Sequence, residues 1–389
     1  MVKNYHKKGV IFMKKWRQVA VVMFCLMAAM TMTMTADAKT KKKQPSGKVC
    51  SGVKWTYNKK SKTLTITGKG YAKITGFYDK SLSSYEWPCS EDSVLPVFTK
   101  IKFGEGITQV DYRYFAMEGI KQISLPKSFK KIKYASPIRV NGAYEGWSTT
   151  LKTISVNKKN RNFSSSKGVL YSKDKKTIYI YPSGKSVTNY KLSDKVTTIA
   201  PYAFYAADMK SIQLSSKLTT IGECAFQYST VKTITGGKKL RVIGQMAFYE
   251  ADGLTNFAFD SALRKIGSNA FYACRLQSVT LPEKLVSVGS CAFMANEELR
   301  SLTILCRLNL GEIFLLCTKK MNYSKSEYDY RPITVKLGKN ATGPLTTLID
   351  DLGQQITFEV DNANPIYYVK AGVLYKRKGN EVCYPQKAS

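Results

Sequence analysis

Apolar residues recur along this chain in a block that returns at a nearly fixed interval. Ile199-Ala200-Pro201-Tyr202-Ala203-Phe204 is echoed by Ile221…Ala225-Phe226, Ile243…Ala247-Phe248, Ile266…Ala270-Phe271 and Val288…Ala292-Phe293, at spacings of 22, 22, 23 and 22. Such a period marks a solenoid, because a unit this small cannot bury its own apolar edge and must stack on the next. Each unit also carries a strand-like piece, aliphatic-x-x-aliphatic-x-aliphatic, as in Leu276-Gln277-Ser278-Val279-Thr280-Leu281. Related pieces are Phe98…Ile101…Phe103, Ile120…Ile123…Leu125, Leu151…Ile154…Val156, Met209…Ile212…Leu214, Leu254…Phe257…Phe259 and Leu299…Leu302…Ile304. Alternation over the last three positions turns two apolar side chains to one face and predicts a short strand. Stacked units then align these strands as a parallel sheet. Leu285…Val288…Ala292-Phe293 predicts a turn and a short helical or irregular return.

Two stretches break the period. Residues 157–195 hold Gly168-Val169-Leu170-Tyr171 and Ile178-Tyr179-Ile180-Tyr181-Pro182 around the turn-like Lys173-Asp174-Lys175-Lys176, a β-hairpin pattern. Residues 360–389 repeat it, with Gly168 and Gly372 separated by 204 positions, as are Val156 and Val360. Trp55-Thr56-Tyr57 and Thr63-Leu64-Thr65-Ile66-Thr67-Gly68 alternate as a hairpin should, which predicts a separate N-terminal β cap over residues 50–96. Repeats fill 97–156 and 196–304, and 305–359 reads as irregular repeats.

At the N-terminus, Lys14, Lys15 and Arg17 precede the apolar run Val19–Met30 and the small-x-small site Ala36-Asp37-Ala38. This predicts a cleaved signal peptide over 1–38, followed by a basic linker over 39–49. No later apolar run is long enough to suggest a membrane span. Cleavage lowers the formal charge from +34 to +29, a charge that attracts anionic partners. It also removes His6, the only histidine. Ser-His-Asp and Cys-His catalysis, His-ligated metal and histidine pH switching are thereby excluded. There is no CxxC pair, no P-loop and no GxSxG. The neighbours in Glu297-Glu298 and Asp350-Asp351 would face opposite ways in a strand. A non-enzyme without cofactor or metal is expected. Of the cysteines, Cys274 occupies a small, buried register. Cys224 and Cys291 lie three coils apart, about 15 Å at the strand spacing, beyond the ~7 Å reach of a disulfide. Cys50–Cys89 and Cys306–Cys317 are the candidate bridges.

Binding candidates follow from register. Ser211, Gln213, Thr233, Thr235, Asn256, Ser278, Thr280, Ser301 and Thr303 are the outward strand positions, a hydroxyl-rich strip on the expected concave face. Lys195, Lys217, Lys239 and Lys284 share a register that Ala262 interrupts, forming either an anion-attracting ladder or a solvated edge. Tyr171, Tyr179, Tyr181 and Tyr190, with Tyr144 and Trp147, are interleaved with lysines and suit sugar stacking or acidic-protein contact. Core packing would account for part of this tyrosine set.

The unit Ile-Gly-x-x-Ala-Phe-x-x-small-x-x-Leu-x-x-(Val/Ile)-x-Leu-Pro resembles the BspA-like leucine-rich-repeat surface proteins of bacteria. The opening Cys50-Ser51-Gly52…Trp55…Thr63–Gly70 is similar to that family's N-terminal segment, and the Gly-Val-Leu-Tyr islands are similar to its insertions. The resemblance implies a leucine-rich-repeat solenoid, a right-handed superhelix with short parallel strands, secreted or held at the cell surface. It implies an adhesin-like binding protein for host or microbial proteins or glycans. A structural envelope scaffold held to anionic polymers by charge is the alternative. Specific nucleic-acid binding is not expected. The last coil shows no obvious polar cap, which favours end-to-end self-association.

Overall fold

The computed structural model describes residues 46–73, 98–116, 119–133, 150–185, 187–307, 332–343, 356–380 and 382–384. It also describes the backbone of short strands at 78–79, 84–85, 139–140, 143–144, 319–322 and 327–330. The expected signal peptide over 1–38, Cys89, Trp147 and Cys317 lie outside the described residues.

The chain is a stacked-repeat fold of many short strands. The one helix among the described residues is the 3-10 turn Tyr112–Ala116. Strand Ser46–Cys50 pairs antiparallel with Val53–Asn58, which pairs with Thr63–Gly68. Residues 46–50 therefore form a strand rather than linker, because their amides find partners across the turn at Ser51-Gly52. Thr63–Gly68 then pairs in parallel with Lys100–Phe103, and the sheet continues through Gln122–Leu125 to Thr153–Val156. Inward residues such as Leu64, Ile66, Ile101, Phe103, Ile123 and Ile154 are buried.

Hydrogen bonding along the return arm corrects the expectation of a helical or irregular return. Thr198–Ile199, Thr220–Ile221, Val242–Ile243, Lys265–Ile266 and Ser287–Val288 form a second parallel ladder of two-residue strands. The ladder is very tight. A Cβ on Gly244 would lie 2.6 Å from both the Glu223 N and the Gly222 C, so the Ile-Gly pair is a packing requirement.

Beyond each glycine, and beyond Ala200 in the first coil, the chain takes two left-handed residues that flank Ala-Phe: Tyr202 and Ala206, Cys224 and Tyr228, Met246 and Glu250, Asn269 and Ala273, Cys291 and Ala295. This conformation lets amides alternate in direction. Phe204 N donates to the Ala225 carbonyl of the next coil, while Ala203 N and Tyr205 N donate within the turn to Ala200 and Tyr202. The phenyl rings stack as a column at 4.8, 5.0, 5.0 and 5.5 Å through Phe204, Phe226, Phe248, Phe271 and Phe293.

One coil departs from the rest. Leu254–Phe259 forms no strand, and no backbone hydrogen bond joins 255–259 to Thr233–Thr235 among the described residues. Where other coils place Ile and Leu inward, this one places Phe257 and Phe259, packed on Phe271 at 5.2 Å each. The register of Leu214 and Leu281 is filled by Gly236 in the preceding coil. The strand face is thus split, whereas the return ladder runs unbroken past the same coil.

Residues 305–359 are more regular than expected. Ile333–Leu337 and Ile356–Val360 extend the parallel sheet begun by Ser278–Leu281 and Ser301–Ile304. The two islands are copies of one another. Leu170 faces Ile180 and Tyr171 faces Ile178 across a bulge, and Leu374 faces Tyr384 and Tyr375 faces Val382 across the same bulge.

Candidate functional site

The outward strand side chains form rows in two groups. Ser211 stands beside Thr233 and Gln213 beside Thr235, in register with Asn189 and Lys191 of the strand before them. Ser211 Oγ donates to Asn189 Oδ1 at 2.6 Å. In the second group Ser278 pairs with Ser301 and Thr280 with Thr303. Those rows continue into Thr334 and Lys336, then Thr357 and Glu359, with Lys336 bonded to Glu359 at 2.7 Å. Asn256 is exposed but lies in the coil without a strand, so it separates the groups rather than bridging them. Asn189, Lys191, Thr334 and Lys336 were not among the sequence candidates. Strand alternation marks them once coils are placed at 189–191 and 333–337.

Lys195, Lys217, Lys239 and Lys284 are all exposed, each three residues before its return strand. They sit at the corner between strand face and return ladder, away from the hydroxyl rows. A groove of about 390 Å³ opens further along this ladder, between Gly244, Gly267 and Gly289, and Lys265 is the one charged residue lining it.

The island tyrosines require a correction. Tyr171 and Tyr181 are 6% and 2% exposed and belong to the core, where they close the end of the phenylalanine column. Tyr181 stacks on Phe204 at 5.1 Å, and the Tyr171 and Tyr190 hydroxyls meet at 2.7 Å. Burial raises the pKa of Tyr171 and Tyr190 and pushes that of Tyr181 up to about 12. Alternation explains the error, since Tyr181 follows an inward Ile180 but turns into the core beyond the strand end. Tyr179 alone of the three is half-exposed, edge-on to Phe163 at 5.0 Å. The Tyr144 side chain and Trp147 lie outside the described residues.

Among the described residues Cys50, Cys224, Cys274, Cys291 and Cys306 are free thiols. Burial pushes Cys224 up to about 12 and raises Cys274 further. Cys274 Sγ meets the Phe248 carbonyl at 3.1 Å, and Asn296, one coil later in the same register, donates to the Phe271 carbonyl at 2.8 Å. Both satisfy the carbonyl of the preceding coil's phenylalanine. Among the described residues no group of three or more His, Cys, Asp or Glu could hold a metal.

Comparison with known proteins places this geometry. The description of the BspA type leucine rich repeat region matches residues 95–166 and 178–300, in 6 copies. Among solved structures the chain is similar to a leucine-rich repeat protein from Eubacterium ventriosum, at 17% identity and a TM-score of 0.41, over 83% of this chain and 94% of that one. It is similar to the pneumococcal vaccine antigen PcpA at 18% identity and a TM-score of 0.38, over 82% and 94% of the two chains. It is similar to a leucine rich cell surface protein from Faecalibacterium prausnitzii at 12% identity and a TM-score of 0.31, over 86% and 97%. No curated protein matches the sequence.

Proposed function

Because the chain belongs to the BspA-type leucine-rich-repeat family, we propose that it is an exported binding protein, secreted or displayed at the cell surface, that recognises host or microbial macromolecules in the manner of an adhesin. The observation that carries this reading is the pair of open strand faces, where Ser211, Thr233, Gln213 and Thr235, then Ser278, Ser301, Thr280 and Thr303, offer hydrogen bonds in register. A stacked core fixes the spacing of these groups before a partner arrives, which lowers the ordering cost of binding. Solenoids bind along such faces.

Export rests on the signal pattern of residues 1–38 and on what membership of a surface-protein family implies. We take the stack as a right-handed superhelix, the hand that parallel strands joined by crossovers adopt, closed at its start by an N-terminal β cap. The reading is non-catalytic and needs no cofactor. The net charge of +34 favours a second reading, a scaffold held to anionic envelope polymers.

A binding array of residues 39–389 at ~50 and ~500 mM salt separates the two, since the Debye length shrinks severalfold over that range. Matrix proteins, mucin and acidic polysaccharides are the immobilised targets. Selective binding that persists at the higher salt supports the adhesin reading. Uniform binding to every polyanion, lost at the higher salt, replaces it with the scaffold.

A further inference from the structure

The outward face of the N-terminal sheet differs in chemistry from the two strand faces described above. Its rows follow directly from the strand register. One row runs Asn58, Thr63, Lys100, Gln122, Thr153, and the next runs Thr56, Thr65, Lys102, Ser124, Ser155. Lys100 and Lys102 are exposed and stand about 7 Å apart on the same strand face. Lys54 stands exposed on this face across from Thr67, and exposed Lys121 and Lys152 precede the last two strands at its rim. No carboxylate stands in either row.

The two nearest described acids are engaged elsewhere. Glu105 accepts the amides of Lys127 and Ser128, and Asp111 is buried beside the Tyr71 hydroxyl. The C-terminal sheet is balanced instead, with Lys336 on Glu359, and Arg275 and Arg300 flanking Glu298. The positive charge of the N-terminal face is therefore uncompensated among the described residues.

We infer that this face is a binding surface for a linear acidic polysaccharide, its sulfates or carboxylates held by Lys100 and Lys102 and its hydroxyls by the flanking side chains. Hydroxyl and amide groups lie on both sides of the cations at strand spacing of about 4.8 Å, matching a ligand that alternates charge with hydroxyls. Among the described residues the face carries no aromatic ring, so it gives unpaired bases nothing to stack on, which disfavours single-stranded nucleic acid. The described rows carry no apolar outward side chain either, so they lack the anchor that a protein partner's hot spot needs. A chain lying across the strands meets both rows at once. This inference deepens the proposed function and rests on it, giving one surface a ligand class.

The test uses the whole chain of residues 39–389 with heparin as the sulfated probe, hyaluronan as the carboxylated probe and single-stranded DNA as the third. The variants are Lys100→Ala/Lys102→Ala, the conservative Lys100→Arg/Lys102→Arg, and Lys370→Ala/Lys378→Ala as a charge-matched change of exposed lysines elsewhere. The expected result is at least tenfold weaker binding of heparin or hyaluronan for the first, near-normal binding for the second and under twofold change for the third. Which probe binds identifies the sulfate or the carboxylate as the recognised group. Equal losses in the first and third variants would overturn the inference in favour of diffuse charge, as would DNA binding as tight as either polysaccharide. Binding to matrix proteins without polysaccharide binding would sink this inference and leave the adhesin reading standing. Absence of any binding at physiological salt would remove both.

Discussion

Asn160 and Asn364, 204 residues apart, are buried in equivalent brackets. Asn160 donates to the Pro126 and Phe129 carbonyls at 3.0 and 2.8 Å and accepts the amides of Asn162 and Phe163. Asn364 donates to the Gly338 and Ala341 carbonyls at 2.9 and 3.1 Å and accepts the amides of Ile366 and Tyr367. Each side chain fastens the corner of one coil to the first strand of an island. Asn160→Ala leaves buried carbonyls and amides without partners, at about 1–3 kcal/mol for each unsatisfied group that water cannot reach. Urea unfolding is expected to show a loss of at least ~2 kcal/mol for Asn160→Ala, and Asn160→Asp is expected to recover only the accepting half. A loss below that of a surface control would refute the bracket.

Phe248 sits mid-column between Phe226 and Phe271, at 5.0 Å from each and within 13° of parallel. Phe248→Ala is expected to cost about 3–5 kcal/mol, a buried ring lost with partial collapse of the hole. Phe248→Leu, which keeps most of the volume, is expected to cost clearly less in the same denaturant titration.

Gly244→Ala tests the return ladder from the opposite direction, by adding an atom. The new Cβ meets backbone at 2.6 Å, which no rotamer change relieves. Overpacking of this kind costs typically about 1–3 kcal/mol. The corresponding position of the first coil is Ala200, which already carries a Cβ, so Ala200→Gly is expected to be the milder change. Thermal melts of the two variants are the comparison.

The buried tyrosines set an alkaline limit. Tyr181 is pushed up to about 12 from an ordinary 10.0, and Tyr171, Tyr190 and Tyr205 are raised too. Below pH 10 both folded and unfolded chains hold these protons, so stability is unaffected. As pH rises beyond 10 the unfolded chain ionises first, and stability falls progressively toward pH 12. Phenolate absorbance should therefore rise in two stages, exposed tyrosines first and the buried set together with loss of folded signal. A single smooth titration in a folded chain would contradict this.

Thiol labelling separates the cysteines. Cys224 and Cys274 are sealed, and burial raises both, so neither presents thiolate at neutral pH. Half-exposed Cys50 and Cys291 are expected to label first under native conditions, and Cys224 and Cys274 only in denaturant. Mass spectrometry of the labelled peptides reads this directly.

The solenoid was legible in the sequence because its inward side chains repeat: Phe204, Phe226, Phe248, Phe271 and Phe293 each occupy the same place in the column. The return ladder was not, because two-residue strands such as Thr220–Ile221 are defined by backbone pairing, and Tyr202 and Cys224 give no glycine signal for their left-handed turns. Outward positions such as Thr280 and Thr303 followed from alternation. Tyr171 and Tyr181 did not, since a ring at an island edge is equally able to seal a core. Lys100 and Lys102 escaped notice because a single coil carries them, and a search for registers shared by many coils passes over chemistry concentrated in one.

The coil at Leu254–Phe259 has a mechanical consequence. Along the return side every coil is laced to the next from Thr198 to Val288, while on the opposite side no described backbone bond joins Thr233–Thr235 to residues 255–259, and the lacing resumes where Gln277 N donates to the Thr255 carbonyl. The stack is a spine fastened along its back and slit once at the front. Fewer backbone bonds hold the coils together at that slit, so flexing there would change the angle between the two hydroxyl-rich faces while leaving the phenylalanine column threaded through both halves.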